Sequence, residues 1–479
     1  MDLLYTILLF LATLALLVAI HEYGHFWVAR RLGFKVERFS IGFGRPLLQW
    51  QGNGVGLPVS WAGNTRSNLL ARLADDGGDP VEFRISAIPL GGYVKMLDER
   101  EGPVEPHEAD RAFNRRPPWA RIAVLFAGPG FNFIFAVIAY WLMFVTGVPG
   151  MRPFVDTVEP GSVVAEAGLE DGDIITAVGG RETATWESAI VGILDGVLDD
   201  GQIELSAQSA QGAVKTVQLD VSGRVSELTE PDALFDELGI RMGPRLAPVI
   251  GGVSEGLPAA AAGLQADDRV VLIDGEPVNY WDDLVALVRA RPGRTVAVEV
   301  DRAGARVETE VEIGSVEAEG RQIGQIGVVN APLSAELVER IRVVERYGVL
   351  DALGAGAKKT WETSVLTVRM IGRMLTGDVS IKSASGPIMI AAYAGDYAEA
   401  GPLAFLSFLS LISISLGIMN LLPVPILDGG RIVEQVIEMI KGSPLSDKSL
   451  IVGQQIGIAM LVVLTCIVFY NDIARLMAP

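Results

Sequence analysis

The stretch LLVAIHEYGHFWVARR, Leu16 to Arg31, places His21, Glu22 and His25 directly after a run of hydrocarbon side chains. On a helix, residues i and i+4 lie one above the other on the same face, about one turn apart. Two imidazoles in that register can reach one metal ion. Zinc accepts imidazole nitrogen, and in hydrolases it keeps one position for water. The intervening Glu22 can then take a proton from that water. The plainer reading is a pair of polar residues at a helix end, or a chance pattern. The apolar setting weighs against it, because ionisable groups inside a membrane span are costly and mark functional sites. We therefore read His21 and His25 as zinc ligands and Glu22 as the catalytic base.

Two histidines leave zinc short of a protein ligand. The chain has three histidines, and the third, His107, lies in the polar loop VEPHEADR, where a solvated role is expected. The single cysteine, Cys466, sits in an apolar run and can form neither an intrachain disulfide nor a thiolate cluster. The stretch GIMNLLPVPILDGG, Gly417 to Gly430, offers Asp428. Pro423 and Pro425 forbid a regular helix there. Broken backbone at membrane depth survives only where protein buries it or where it lines a cavity. So Asn420 to Asp428 is expected to line the cavity that holds the histidines. Taken alone, Asp428 could equally be the N-cap of a helix starting near Gly430. The need for a third ligand favours coordination.

These residues must be held at depth. The chain has 479 residues, 50% of them hydrophobic, and a mean hydropathy of +0.36. Four uncharged runs are long enough to span a bilayer as helix: Leu3 to Ile20 with its continuation through the histidines, Ile122 to Val148, Pro402 to Ile426, and Leu450 to Tyr470. The first has neither a basic start nor a small-residue cleavage site, so it reads as a retained span. Arg30, Arg31, Lys35 and Arg38 follow span one, Arg111, Arg115, Arg116 and Arg121 precede span two, and Arg431, Lys441 and Lys448 lie between spans three and four. By the positive-inside rule, segments 30–121 and 427–449 are cytoplasmic, while 149–401 and both termini are on the other side, the periplasm in a bacterium. His25 precedes Arg30 by roughly 8 Å of helix, which puts the site near the cytoplasmic interface. The net charge of −19 excludes a nucleic-acid surface, which needs basic patches.

The outer segment contains a repeat. EPGSVVAEAGLEDGDIITAVGGRET, from Glu159, and SEGLPAAAAGLQADDRVVLIDGEPV, from Ser254, align with Gly161 opposite Gly256, Gly168 opposite Gly263, Leu169 opposite Leu264 and Asp173 opposite Asp268. Each reads as a short helix, an AGL turn, then a strand with alternating apolar residues. The pattern resembles the bacterial PDZ domain, and a fixed period argues for duplicated units. Two PDZ domains are expected, at 150–225 and 238–330. From Leu333 to Leu375 the apolar spacing turns helical, and 333–401 is expected to be a periplasmic helical segment.

HEYGH in span one together with NLLPVPILDGG in a late span resembles the site-2 protease family of intramembrane zinc metalloproteases. The PDZ-like pair and FAGPGFNF, Phe126 to Phe133, resemble its bacterial regulator-of-sigma-E protease branch. The resemblance covers nearly the whole chain in order. It implies that His21, His25 and Asp428 bind zinc, that Glu22 is the base, and that Asn420, Pro423 and Pro425 help hold substrate. It also implies a membrane-associated β-hairpin after span one, ending in a GGYVKM such as Gly91 to Met96. ERFSIGFG and VEFRISAIPLGGYVKM have the strand-like alternation for it. A peptide bond inside a helix is shielded, so its cleavage requires an extended form that an edge strand could stabilise. On that ground Gly91, Gly92 and Tyr93 join the substrate-binding candidates. A solvated hairpin without substrate contact is the alternative. Gly52 to Pro80 is a longer, Gly- and Asp-rich insert than the family implies.

The expected fold is thus a multi-pass α-helical membrane protein. It has four transmembrane helices (1–32, 122–148, 402–430 and 450–470), a membrane-associated β-hairpin region at 33–121, and two inserted PDZ-like α/β domains. The expected function is intramembrane zinc endopeptidase. The resemblance implies a single-pass substrate of the anti-sigma factor type, cut in the bacterial inner membrane after an upstream periplasmic site-1 protease has trimmed it, and possible action on remnant signal peptides. The PDZ pair would restrict access for substrates with bulky outer domains. The competing class is a membrane-anchored PDZ scaffold with a structural or vestigial metal site. An intact Glu22 argues against it, because a structural site needs no base.

Overall fold

The computed structural model describes residues 3–52, 79–209, 211–230, 233–243, 245–318 and 321–477. Most of the Gly52 to Pro80 insert lies outside the described residues. The chain divides into two compact units. One is helical, made of residues up to 148, a short return at 225–231, and everything from 345 on; the other takes 149–224 and 232–344.

The helical unit starts with α1, Leu3–Arg31. Arg30 and Arg31 in its last turn suit the negative end of the helix dipole. Two long strands follow, β1 (Val36–Gly52) and β2 (Val81–Met96). Both bend, so that two strands give four rows. The row 36–41 has 92–96 on one side and 82–85 on the other, and 81–86 also pairs with 46–52. Row 92–96 is therefore an outer row of this sheet, with no further strand beside it among the described residues. Phe26, Phe34, Phe39 and Phe83 form a buried aromatic cluster that joins the end of α1 to the sheet.

Helix α2 (Pro118–Thr146) begins with proline at its first position, where a missing N–H costs nothing, and carries Pro129 inside. Helix α3 (Val349–Thr376) packs along α2, its Gly356 against the backbone of Val137 and Trp141. Then come α4 (Pro387–Glu399), α5 (Pro402–Leu421), α6 (Asp428–Lys441) and α7 (Asp447–Met477). Among the described residues, four helices, α1, α2, α5 and α7, are long and apolar enough to cross a membrane. The expected spans differ at their ends. The third ends as helix at Leu421 rather than running to residue 430, because Pro423 and Pro425 lack the N–H that a helix needs. Ile426, with φ +96°, turns the chain into α6. The fourth reaches from 447 to 477, since the polar residues at its ends continue the helix. In the 333–375 stretch, helix covers Ala335–Ile341 and then α3 from Val349, with a strand at Arg342–Glu345 between them. Cys466 is exposed on α7 and His107 is exposed in its loop.

The second unit holds the repeat. Four-stranded sheets of the same order are built from 174–178, 181–182, 202–208 and 214–220, and from 269–273, 276–277, 295–302 and 305–312. Each carries a helix, Trp186–Leu198 or Trp281–Arg289. Each copy also has a two-stranded pair. Ile250–Val253 pairs with Val328–Asn330 in the second copy, and Val155–Val158 pairs with Ile240–Met242 in the first. The first copy thus uses a strand beyond residue 225, inside the range expected for the second. Residues 225–231 cluster with the helical unit instead, where the Ser383 hydroxyl donates to the Thr229 carbonyl at 2.8 Å.

Candidate metal centre

His21 and His25 lie one turn apart on α1 and both are buried. Asp428 is the first residue of α6, with Leu427 as N-cap. It is therefore not itself the cap, and its carboxylate points at both rings. His21 Nε2 is 3.1 Å from Asp428 Oδ2, His25 Nε2 is 3.3 Å from the same oxygen, and the two Nε2 atoms are 3.2 Å apart. A tetrahedral zinc with bonds of about 2.0–2.1 Å separates its ligands by about 3.3 Å. The three donors already have that spacing.

Their surroundings fix which lone pairs face inward. His25 Nδ1 lies 2.7 Å from the Val124 carbonyl of α2, which can only accept. Its Nδ1 therefore carries the proton and Nε2 carries a lone pair. His21 Nδ1 lies 3.2 Å from the Asn132 amide, whose Oδ1 is buried without a partner. Turning that amide over lets its oxygen accept from His21 Nδ1–H and leaves the His21 Nε2 lone pair inward. Two lone pairs and a carboxylate oxygen within 3.3 Å of one another make an electron-rich cluster that calls for a cation. Neutral imidazoles with one carboxylate suit zinc.

Close helix packing makes the cluster possible. A Cβ at Gly128 of α2 would fall 2.3 Å from His25 Nε2 and 2.8 Å from His21 Nε2, and one at Gly24 of α1 would fall 2.3 Å from the Ala127 carbonyl oxygen. Asn132 extends the joint to α5, because its carbonyl accepts from the buried Ser413 hydroxyl at 3.0 Å. Val124, Gly128 and Asn132 were absent from the candidates read in the sequence. A Gly-Pro-Gly followed by asparagine in an uncharged span was the available signal.

The sequence candidates sit as follows. Glu22 lies between the two histidines on α1, and Gly92 is packed so close that a Cβ there would be 2.7 Å from Glu22 Cγ. Gly91, with φ +122°, passes beneath the Phe43 ring, and Tyr93 stacks on the same ring at 6.2 Å. Asn420 is half-buried in the last turn of α5, and Pro423 and Pro425 form the turn toward Asp428. The Pro425 carbonyl is braced on α7, where a Cβ at Gly457 would approach it to 2.0 Å. The end of β2 and the 422–427 turn are thus each anchored to a residue of the centre, one through Gly92 and the other through Asp428.

Comparison with known proteins gives the following similarities. The model of peptidase family M50 matches residues 9–60 and 70–464. The regulator of sigma-E protease RseP of Escherichia coli is 40% identical over 468 residues, covering 98% of each chain. The regulator of sigma E protease of Haemophilus influenzae is 36% identical over 472 residues, again 98% of each. Among solved structures, the PDZ domain of an SdrC-like protein from Listeria innocua matches 18% of this chain and 97% of its own, at 19% identity and a TM-score of 0.17.

Proposed function

The chain belongs to peptidase family M50, the site-2 protease family, and from that premise we propose that it is a zinc endopeptidase that cuts the transmembrane segment of single-pass membrane proteins. The observation that carries the proposal is the convergence of His21, His25 and Asp428, the first and last 407 residues apart, around one point with Glu22 beside it. These three residues would hold the ion. When bound, zinc supplies Lewis acidity and makes water nucleophilic at neutral pH. Glu22 takes the proton released on attack and returns it to the leaving nitrogen. Row 92–96 offers main-chain groups to an extended peptide, as β-augmentation requires. Gly91, Gly92 and Tyr93 shape that row, and Asn420, Pro423 and Pro425 hold the substrate from the opposite side.

Relatives named as regulators of sigma-E support an anti-sigma factor as substrate. In this reading the protein sits in the bacterial inner membrane, with both termini and the PDZ pair periplasmic and the centre near the cytoplasmic face. A site-1 protease first trims the substrate outside, and the second cut releases a cytoplasmic fragment; remnant signal peptides are a further substrate class. The two repeats act as PDZ domains and restrict which substrates are accepted. The test is cleavage of a single-pass substrate by detergent-purified wild type and Glu22→Gln. Cleavage by wild type alone is expected. Equal cleavage by both would remove Glu22 from the mechanism, and none by either would favour the scaffold.

A further inference from the structure

A cavity of about 490 Å³ in the helical unit has two walls that start at the reaction centre. β2 leaves Gly92, which lies against Glu22, and its residues Val94 to Met96 line the cavity. α6 leaves Asp428 and lines it with Arg431, Glu434 and Gln435, which share one helix face. Gln435 lies about 10 Å along the axis from Asp428. Ile451 of α7 adds apolar surface. A chain held beside row 92–96 would therefore run from the centre into this space.

The polar groups lining it are only partly paired. Lys95 is paired with Glu37 at 2.8 Å, and Arg100 with Asp98 at 2.7 Å. Glu434 is half-buried; Arg431 and Arg100 of the same lining act on it electrostatically, but it makes no hydrogen bond or ion pair with either among the described residues. Gln435 is 6% exposed, and its Oε1 has no hydrogen-bond partner. A buried amide oxygen left unpaired is costly, so it points to a donor that arrives with a ligand. Two acceptors thus wait at the end of a passage that begins at the metal centre.

We propose that this cavity is the subsite for the substrate segment flanking the scissile bond on the cytoplasmic side, and that Glu434 and Gln435 select a Lys or Arg there. The inference rests on the protease reading above. Cytoplasmic flanks of membrane helices carry an excess of Lys and Arg. A long basic side chain can lay its stem along Met96 and Ile451 and bring its cation to Glu434. An N–H of the same segment can donate to Gln435 Oε1.

The experiment uses one single-pass substrate with its cytoplasmic flank made basic, neutral or acidic, cut by the full-length protein in detergent. Wild type should cut the basic flank with kcat/KM about fivefold above the acidic one, the size expected of a partly exposed ion pair. Glu434→Gln should level the series, and Glu434→Lys should reverse it. Cleavage by wild type that is indifferent to the flank would overturn the subsite and leave the protease standing. So would an unchanged preference in Glu434→Lys. No cleavage of any flank by wild type would overturn the protease reading and the subsite together.

Discussion

His21 and His25 are held by partners from a second helix, Asn132 and Val124 of α2, and the consequences can be measured residue by residue. Gly128→Ala drives a Cβ into both ring nitrogens of the centre. It should abolish zinc retention and cleavage together, as read by metal analysis and a substrate assay. Asn132→Ala removes the group facing His21 Nδ1 and should weaken zinc binding about 10- to 100-fold, as seen by competition with a chelator. The legible and the hidden parts of the site differ for a physical reason. The HEYGH spacing is local, so helix periodicity alone places two imidazoles on one face. Asp428 could be read because a carboxylate next to two prolines at membrane depth needs a purpose. Asn132 and Gly128 owe their roles to the contact between α1 and α2, and no spacing within one helix reports which residue meets a neighbour's ring.

At the scale of elements, the sheet and the interrupted third span do the positioning. Alternation and turn residues made β1 and β2 readable. Their bending into four rows was not, since it depends on which residues of each strand pair twice. The end of α7 supplies a second anchor. The buried Asp472 carboxylate accepts from the N–H groups of Gly386, Ile388 and Met389 at 2.7, 2.9 and 3.2 Å, and so caps the start of α4. Asp472→Ala should destabilise the helical unit by about 2–3 kcal/mol, read as a lower Tm in detergent. In the second repeat, hydrogen bonds from Arg302 hold the Asp268 carboxyl below the usual carboxylate range. A carboxyl lowered in the folded state adds stability that is full above its unfolded pKa of about 3.9 and is lost as pH falls through the folded value. The unit should therefore lose stability in acid, and Arg302→Met should flatten that loss in an unfolding series run across pH.

At the scale of the whole molecule, the resemblance read from HEYGH and NLLPVPILDGG is borne out by the M50 match and by identity that extends over 98% of the chain. The period of the repeat was legible because Gly, Ala and Asp positions recur at one spacing. The boundary between copies was not, because the strand Ile240–Met242 closes the first copy from across a segment that belongs to the helical unit. If the repeats restrict substrate entry, deleting 150–330 should permit cutting of substrate that has not been trimmed outside; unchanged discrimination would sink that role. The central claim is that residues at the two ends of the chain form one zinc site. Metal content per chain tests it most directly, measured on purified wild type, Glu22→Gln and Asp428→Ala. The account predicts one zinc in the first two and its loss or marked weakening in the third. Wild type without zinc, or Asp428→Ala holding it as tightly as wild type, would contradict the account.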